Sequence, residues 1–70
     1  MKEKQLLGRR IKRLRARLGL TQDALAERVQ ISPKYLSNIE RGRENPTLDT
    51  LLRLARSLKV EPWEVLLLDT

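Results

Sequence analysis

The sequence predicts an all-α fold, a compact five-helix bundle forming a single domain over residues 1–70. Three observations carry this expectation. Apolar side chains recur at helical steps, and little of the chain alternates as a strand would. Helix punctuation returns at short intervals: a hydroxyl residue before a proline or an apolar run, and a glycine after one. There is neither cysteine nor histidine, which removes a disulfide framework and nearly excludes zinc and haem sites. So short a chain must rely on well-packed helices, helped by association with a second copy.

Each element follows in order. Leu7, Ile11, Leu14 and Leu18 form one stripe on a first helix of about four turns, which Gly19 stops. Thr21 caps a short second helix with Leu25, Ala26 and Val29 on its inner face. Ser32 followed by Pro33 restarts the chain as a third helix, because a proline at the first helical position loses no hydrogen bond. That helix is expected to run to Arg41 and end at Gly42. Residues 43–46 form a polar loop. Thr47 then caps a fourth helix, with Leu48, Leu51, Leu52, Ala55 and Leu58 expected to face inward. After a turn from Val60 to Pro62, a final short helix carries Trp63, Leu66 and Leu67.

Charge is unevenly placed. Fifteen basic and nine acidic residues leave +6, which suits a polyanionic partner, nucleic acid before an acidic membrane. Residues 1–20 hold eight cations and one acid, whereas residues 21–70 hold seven cations and eight acids. The first helix and its tail therefore carry the whole excess. Other classes recede. The longest apolar run has four residues, Val65 to Leu68, too short for a membrane span or a signal-peptide core. Gly8, Gly19 and Gly42 are too scattered for a phosphate-binding loop, and no histidine is present for a familiar nucleophile relay. Neither an enzyme nor a cofactor is expected. A small-molecule effector is not expected in this domain either.

The third helix carries the functional signal. With Leu36 set at 0° and about 100° per residue, Ile39 and Glu40 fall within about 60° of it. Ser37, Arg41, Lys34 and Asn38 occupy the opposite arc, between about 100° and 200°. Every member of that arc donates hydrogen bonds, none is acidic, and two are cationic. Such a face fits the major groove of DNA, where lysine reads guanine and asparagine reads adenine. A merely solvated helix face is the plainer reading of the arc alone. A short helix, a turn and a second helix, over about residues 21–41, make a helix-turn-helix. Ala26 is small where the two helices cross, and Leu25, Val29, Ile31, Leu36 and Ile39 are apolar where they share a core.

Residues 20–42 resemble the phage-repressor and Cro type of helix-turn-helix, also called the xenobiotic-response-element family. Thr21-Gln22, Leu25-Ala26, Ile31-Ser32, Tyr35-Leu36-Ser37 and Ile39-Glu40-Arg41-Gly42 fit its pattern, as do Pro46-Thr47-Leu48 and Leu54-Ala55. The likeness spans roughly residues 6–67 and implies a lambda-repressor-like fold and a sequence-specific DNA-binding regulator that acts as a dimer. It implies that Gln22 binds a backbone phosphate, and that Ser32, Pro33, Lys34, Ser37 and Asn38 face bases or nearby phosphates. Arg41 shares their arc, and Arg43 and Asn45 lie near the opposite backbone. It also implies that Glu40 is the inward acid paired with an arginine of the first helix, here Arg15. The helical wheel agrees, placing Arg15 about 80° from Leu7, at the edge of the buried face.

Two positions depart from the family's pattern. Gln30 stands where a glycine usually makes a left-handed turn, which implies that Gln30→Gly stabilises the domain. Pro33 replaces a polar base-reading side chain, which shifts specificity onto Lys34, Ser37 and Asn38. Near the C-terminus, Trp63, Val65, Leu67 and Leu68 either close the core or form a two-fold dimer seam. Because consecutive apolar residues cannot all face one side of a helix, at least one or two are expected at the seam. The leading expectation is a cytoplasmic, nucleoid-associated regulator, repressor-like, that binds palindromic double-stranded DNA as a homodimer. The alternative is a protein-bridging module of the same fold. Membrane-surface binding ranks last, because the basic first helix lacks aromatic anchors.

Overall fold

A computed structural model describes residues 2–68. Five helices follow in order: α1 (Lys2–Arg17), α2 (Gln22–Val29), α3 (Pro33–Glu40), α4 (Leu48–Ser57) and α5 (Pro62–Val65). There is no strand among the described residues. α3 packs against α1 and α2, while α4 bridges α2 and α5. One core joins all five: Ile11 and Leu14 of α1, Leu25, Ala26 and Val29 of α2, Leu36 and Ile39 of α3, Leu54 and Ala55 of α4, and Val65 of α5, with Leu58 closing it just past α4.

Helix starts are set by side-chain oxygens. Thr21 accepts from the Ala24 N–H at 3.0 Å, Ser32 from Tyr35 at 3.0 Å, and Thr47 from Thr50 at 3.1 Å. At α5 the Glu64 carboxylate instead accepts from the Glu61 N–H at 2.7 Å. The ends of α1 to α4 share one device. A residue at positive φ (Gly19, Gln30, Gly42 and Lys59) turns the chain. The next N–H then reaches back five residues, to Arg15, Ala26, Asn38 and Ala55 carbonyls at 2.8–3.2 Å. Two of these four turning residues are not glycine.

The apolar count exceeded what short helices can bury. α1 ends before Leu18, which is 40% exposed and not part of the buried stripe. α3 ends at Glu40, with Arg41 as its cap. On α4, Leu48 is 71% and Leu52 37% exposed, against the inward placement expected of both. Leu54 and Thr50 are buried instead. The leucines surround α4, so only those near Leu54 can reach the core. Thr50 is tolerated there because its hydroxyl is hydrogen bonded to Thr47 at 3.0 Å. α5 stops at Val65, leaving Leu66 and Leu67 beyond it. Val65 itself is only 1% exposed, so as a seam candidate it is corrected to a core residue.

Candidate nucleic-acid interface

α3 divides its residues as its periodicity requires. Leu36, Ile39 and Glu40 are buried, and Tyr35 packs partly against the core. Lys34 and the capping residue Arg41 are exposed, while Ser37 and Asn38 are half-buried. Ser32 and Pro33 are exposed at the start of the helix. The Ser32 oxygen accepts the cap hydrogen bond, leaving its own O–H to donate elsewhere. Arg43 and Asn45 are exposed in the loop after α3, where the Arg43 N–H donates to the Asn38 carbonyl at 2.8 Å. That bond ties the loop to the base of the outward arc.

Glu40 organises the other side. Its Oε2 accepts from Arg15 Nε at 2.7 Å, and its Oε1 from Arg15 Nη2 at 3.0 Å. Arg15 Nη1 donates to the Leu20 carbonyl at 2.9 Å. The two side chains are 13% and 2% exposed, so this is a two-point ion pair largely removed from water. The hydrogen bond to Glu40 holds the Arg15 guanidinium above its ordinary pKa, with charge attraction adding to it and burial opposing it.

A third donor completes the carboxylate's shell: Gln22 Nε2 donates to Glu40 Oε1 at 2.8 Å. Gln22, implied by the resemblance as a phosphate contact, is thus anchored inward through one amide hydrogen and keeps the other. No motif pointed to this bond, because it joins residues 18 positions apart.

Two further contacts escaped the sequence reading. A Cβ added at Gly8 would lie 2.5 Å from the carbonyl oxygens of both Ile39 and Glu40, so only glycine lets α1 cross α3 this closely. A glycine inside an otherwise helical pattern was the available signal. Arg10 Nε donates to the Glu64 carbonyl at 3.0 Å, which ties α1 to α5. Around the end of α5, Trp63, Leu66 and Leu67 are each more than half exposed and Leu68 is half-buried; Leu66 and Leu68 share a groove with Asn45.

Comparison with known proteins places this architecture. A family described as helix-turn-helix matches residues 11–64. An uncharacterised HTH-type transcriptional regulator of Sinorhizobium fredii is 45% identical over 93% of this chain and 84% of its own length. The immunity repressor of Bacillus phage phi105 is 46% identical over 79% of the chain, which spans only 38% of that repressor. Among solved structures, the restriction-modification controller protein C.AhdI of Aeromonas hydrophila superposes with a TM-score of 0.91 at 34% identity, covering 93% of this chain and 98% of that one. The P22 c2 repressor in complex with a synthetic operator gives 0.84 at 35% identity, with the same two coverages. By sequence and by structure, the chain belongs to the helix-turn-helix family of DNA-binding transcriptional regulators.

Proposed function

We propose that the protein regulates transcription by binding a palindromic operator as a homodimer, repressor-like, with α3 in the major groove. The observation that carries this is the outward arc of α3, donor-rich and free of acid, held from behind by the Arg15–Glu40–Gln22 cluster. Lys34 and Asn38 read bases, and Ser37 and Pro33 contact their edges or nearby phosphates. Gln22, Ser32, Arg41, Arg43 and Asn45 bind the backbone and set the register. The operator complex of the P22 c2 repressor supports this use of the fold. Trp63, Leu66 and Leu67, with Leu68 at their edge, supply the seam, since three exposed large apolar groups at one end favour association. Two α3 helices then lie about 34 Å apart, one turn of DNA. Such a regulator works in the cytoplasm on nucleoid DNA and needs neither a catalytic residue nor a cofactor.

Selection from random-sequence duplexes, followed by sequencing of the bound fraction, tests the proposal. A two-fold symmetric consensus and an affinity falling steeply with salt are expected. Asn38→Ala should relax selection at one position at a cost of about 1–3 kcal/mol, whereas Arg43→Ala should weaken all sequences alike and lower the salt slope by about one. Binding without any sequence preference would favour the bridging module.

A further inference from the structure

A second cationic surface lies on the far side of α2. Arg28 and Gln30 at the end of α2 face Asp49, Leu52, Arg53 and Arg56 of α4 across an open groove of about 440 Å³. Arg53 is committed within the protein: its guanidinium donates to the Val29 carbonyl at 3.2 Å and to the Asp49 carboxylate at 2.5 Å. The Asp49 carboxylate is thereby paired within α4, although its side chain stays 68% exposed. Arg28 and Arg56 are exposed, and among the described residues no hydrogen bond or ion pair engages the side chain of either. Residues 21–70 carry slightly more acids than cations, whereas the trough sets three arginines against the two carboxylates of Asp49 and Glu61 and so keeps a positive excess.

The groove is also apolar in part. Exposed Leu52 lines it and a neighbouring groove of about 240 Å³, which runs on over Ala55, Val60, Pro62 and the exposed acid Glu61. Leu52 and Arg56 belong to both, so three arginines gather at one end, while apolar side chains and the lone carboxylate of Glu61 line the other. The position separates this trough from the proposed DNA face. Gln22 opens α2 and turns toward Glu40, whereas Arg28 lies six residues on, about 9 Å along the axis and about 120° around it.

We propose that this trough docks an acidic peptide segment of a partner protein, its carboxylates on Arg28 and Arg56 and an aliphatic side chain over Leu52. A guanidinium presents the planar fork that a carboxylate takes at two points. A DNA backbone would offer phosphates here but nothing apolar for Leu52.

The test titrates a capped peptide, Glu-Asp-Leu-Glu-Glu-Leu, into the nitrogen-15-labelled full chain. Shifts confined to residues 28–30 and 49–62 are expected, with a Kd of about 1 mM or tighter at low salt. The amide counterpart, Gln-Asn-Leu-Gln-Gln-Leu, should bind at least about tenfold more weakly. Arg28→Glu with Arg56→Glu should abolish the shifts while leaving operator selection unchanged, and the glutamine pair at the same positions guards against a folding defect. Absence of shifts at millimolar peptide, shifts centred on α1, or equal binding of the amide peptide would overturn the proposal. So would movement of the same groove signals on adding duplex DNA, which would make the trough a second backbone contact.

Discussion

Arg15 and Glu40, 25 positions apart, meet through two parallel hydrogen bonds at 2.7 and 3.0 Å, and so lock the helix that carries most of the charge to the helix that presents the polar arc. A carboxylate only 2% exposed cannot be left alone, because its desolvation is offset only by these donors and by Gln22. The raised arginine pKa fixes the sign of its pH response. Its contribution is fully present below the ordinary arginine value and is lost only as pH rises through the higher folded value, so raising the pH from neutral through the mildly alkaline range does not release the arginine's grip.

A double-mutant cycle should therefore show strong coupling. Arg15→Met alone should cost about 3 kcal/mol, since it strands the buried carboxylate. Arg15→Met with Glu40→Leu should cost less than that single change, and the coupling term should reach about 1–3 kcal/mol. Urea denaturation of the four proteins measures it; a coupling term near zero would refute the lock.

The two left-handed residues that are not glycine are local strains with a simple remedy. Gln30→Gly and Lys59→Gly should each raise stability by up to about 1 kcal/mol, since glycine adopts positive φ without a Cβ clash. The combined variant should show both gains, because the turns end different helices and share no hydrogen bond. Thermal unfolding of the single and double variants reads this directly.

Gly8→Ala should behave in the opposite way to a helix-propensity argument. Alanine gains about 1 kcal/mol in a helix interior relative to glycine. Here the added methyl would sit 2.5 Å from two backbone oxygens, and α1 would have to move off α3. A net loss of about 2 kcal/mol or more is expected, with weakened DNA binding as α3 loses its backing. An alanine variant as stable as the parent would show that the crossing relaxes freely.

The C-terminal apolar run separates into two roles. Val65→Ala should destabilise the folded chain by about 2 kcal/mol, because its side chain is fully buried. Trp63→Ala and Leu67→Ser should leave chain stability nearly unchanged and weaken self-association at micromolar concentration. Sedimentation equilibrium distinguishes the two outcomes, and a strictly monomeric parent, with or without DNA, removes the seam.

Much of this was legible in the sequence for physical reasons. Thr21, Ser32 and Thr47 announced the helix starts because a hydroxyl before an apolar run has few other uses. Periodicity separated Leu36 and Ile39 from Lys34 and Asn38, since a helix face follows from spacing alone. What stayed hidden depended on the angles between helices. Leu48 and Leu52 look no different from Leu54 in composition; only the placement of α2 and α5 against α4 decides which leucines are covered. Gln22 looks like a surface polar residue until α3 is placed beside it and Glu40 comes within reach. Lys59 gave no signal at all, because lysine rarely marks a left-handed turn.

The two grips of α1 on α3 form a ruler. Gly8 fits against the backbone oxygen of Glu40, and Arg15 grasps the carboxylate of the same residue. They stand seven positions apart, two helical turns and about 10 Å. One residue inserted or deleted between them would swing one grip about 100° away, whichever residue was chosen. The outward side chains of this stretch should accept wide substitution, yet its length should accept no change. The indel tolerance of residues 9–14 would then be far lower than their exposure suggests.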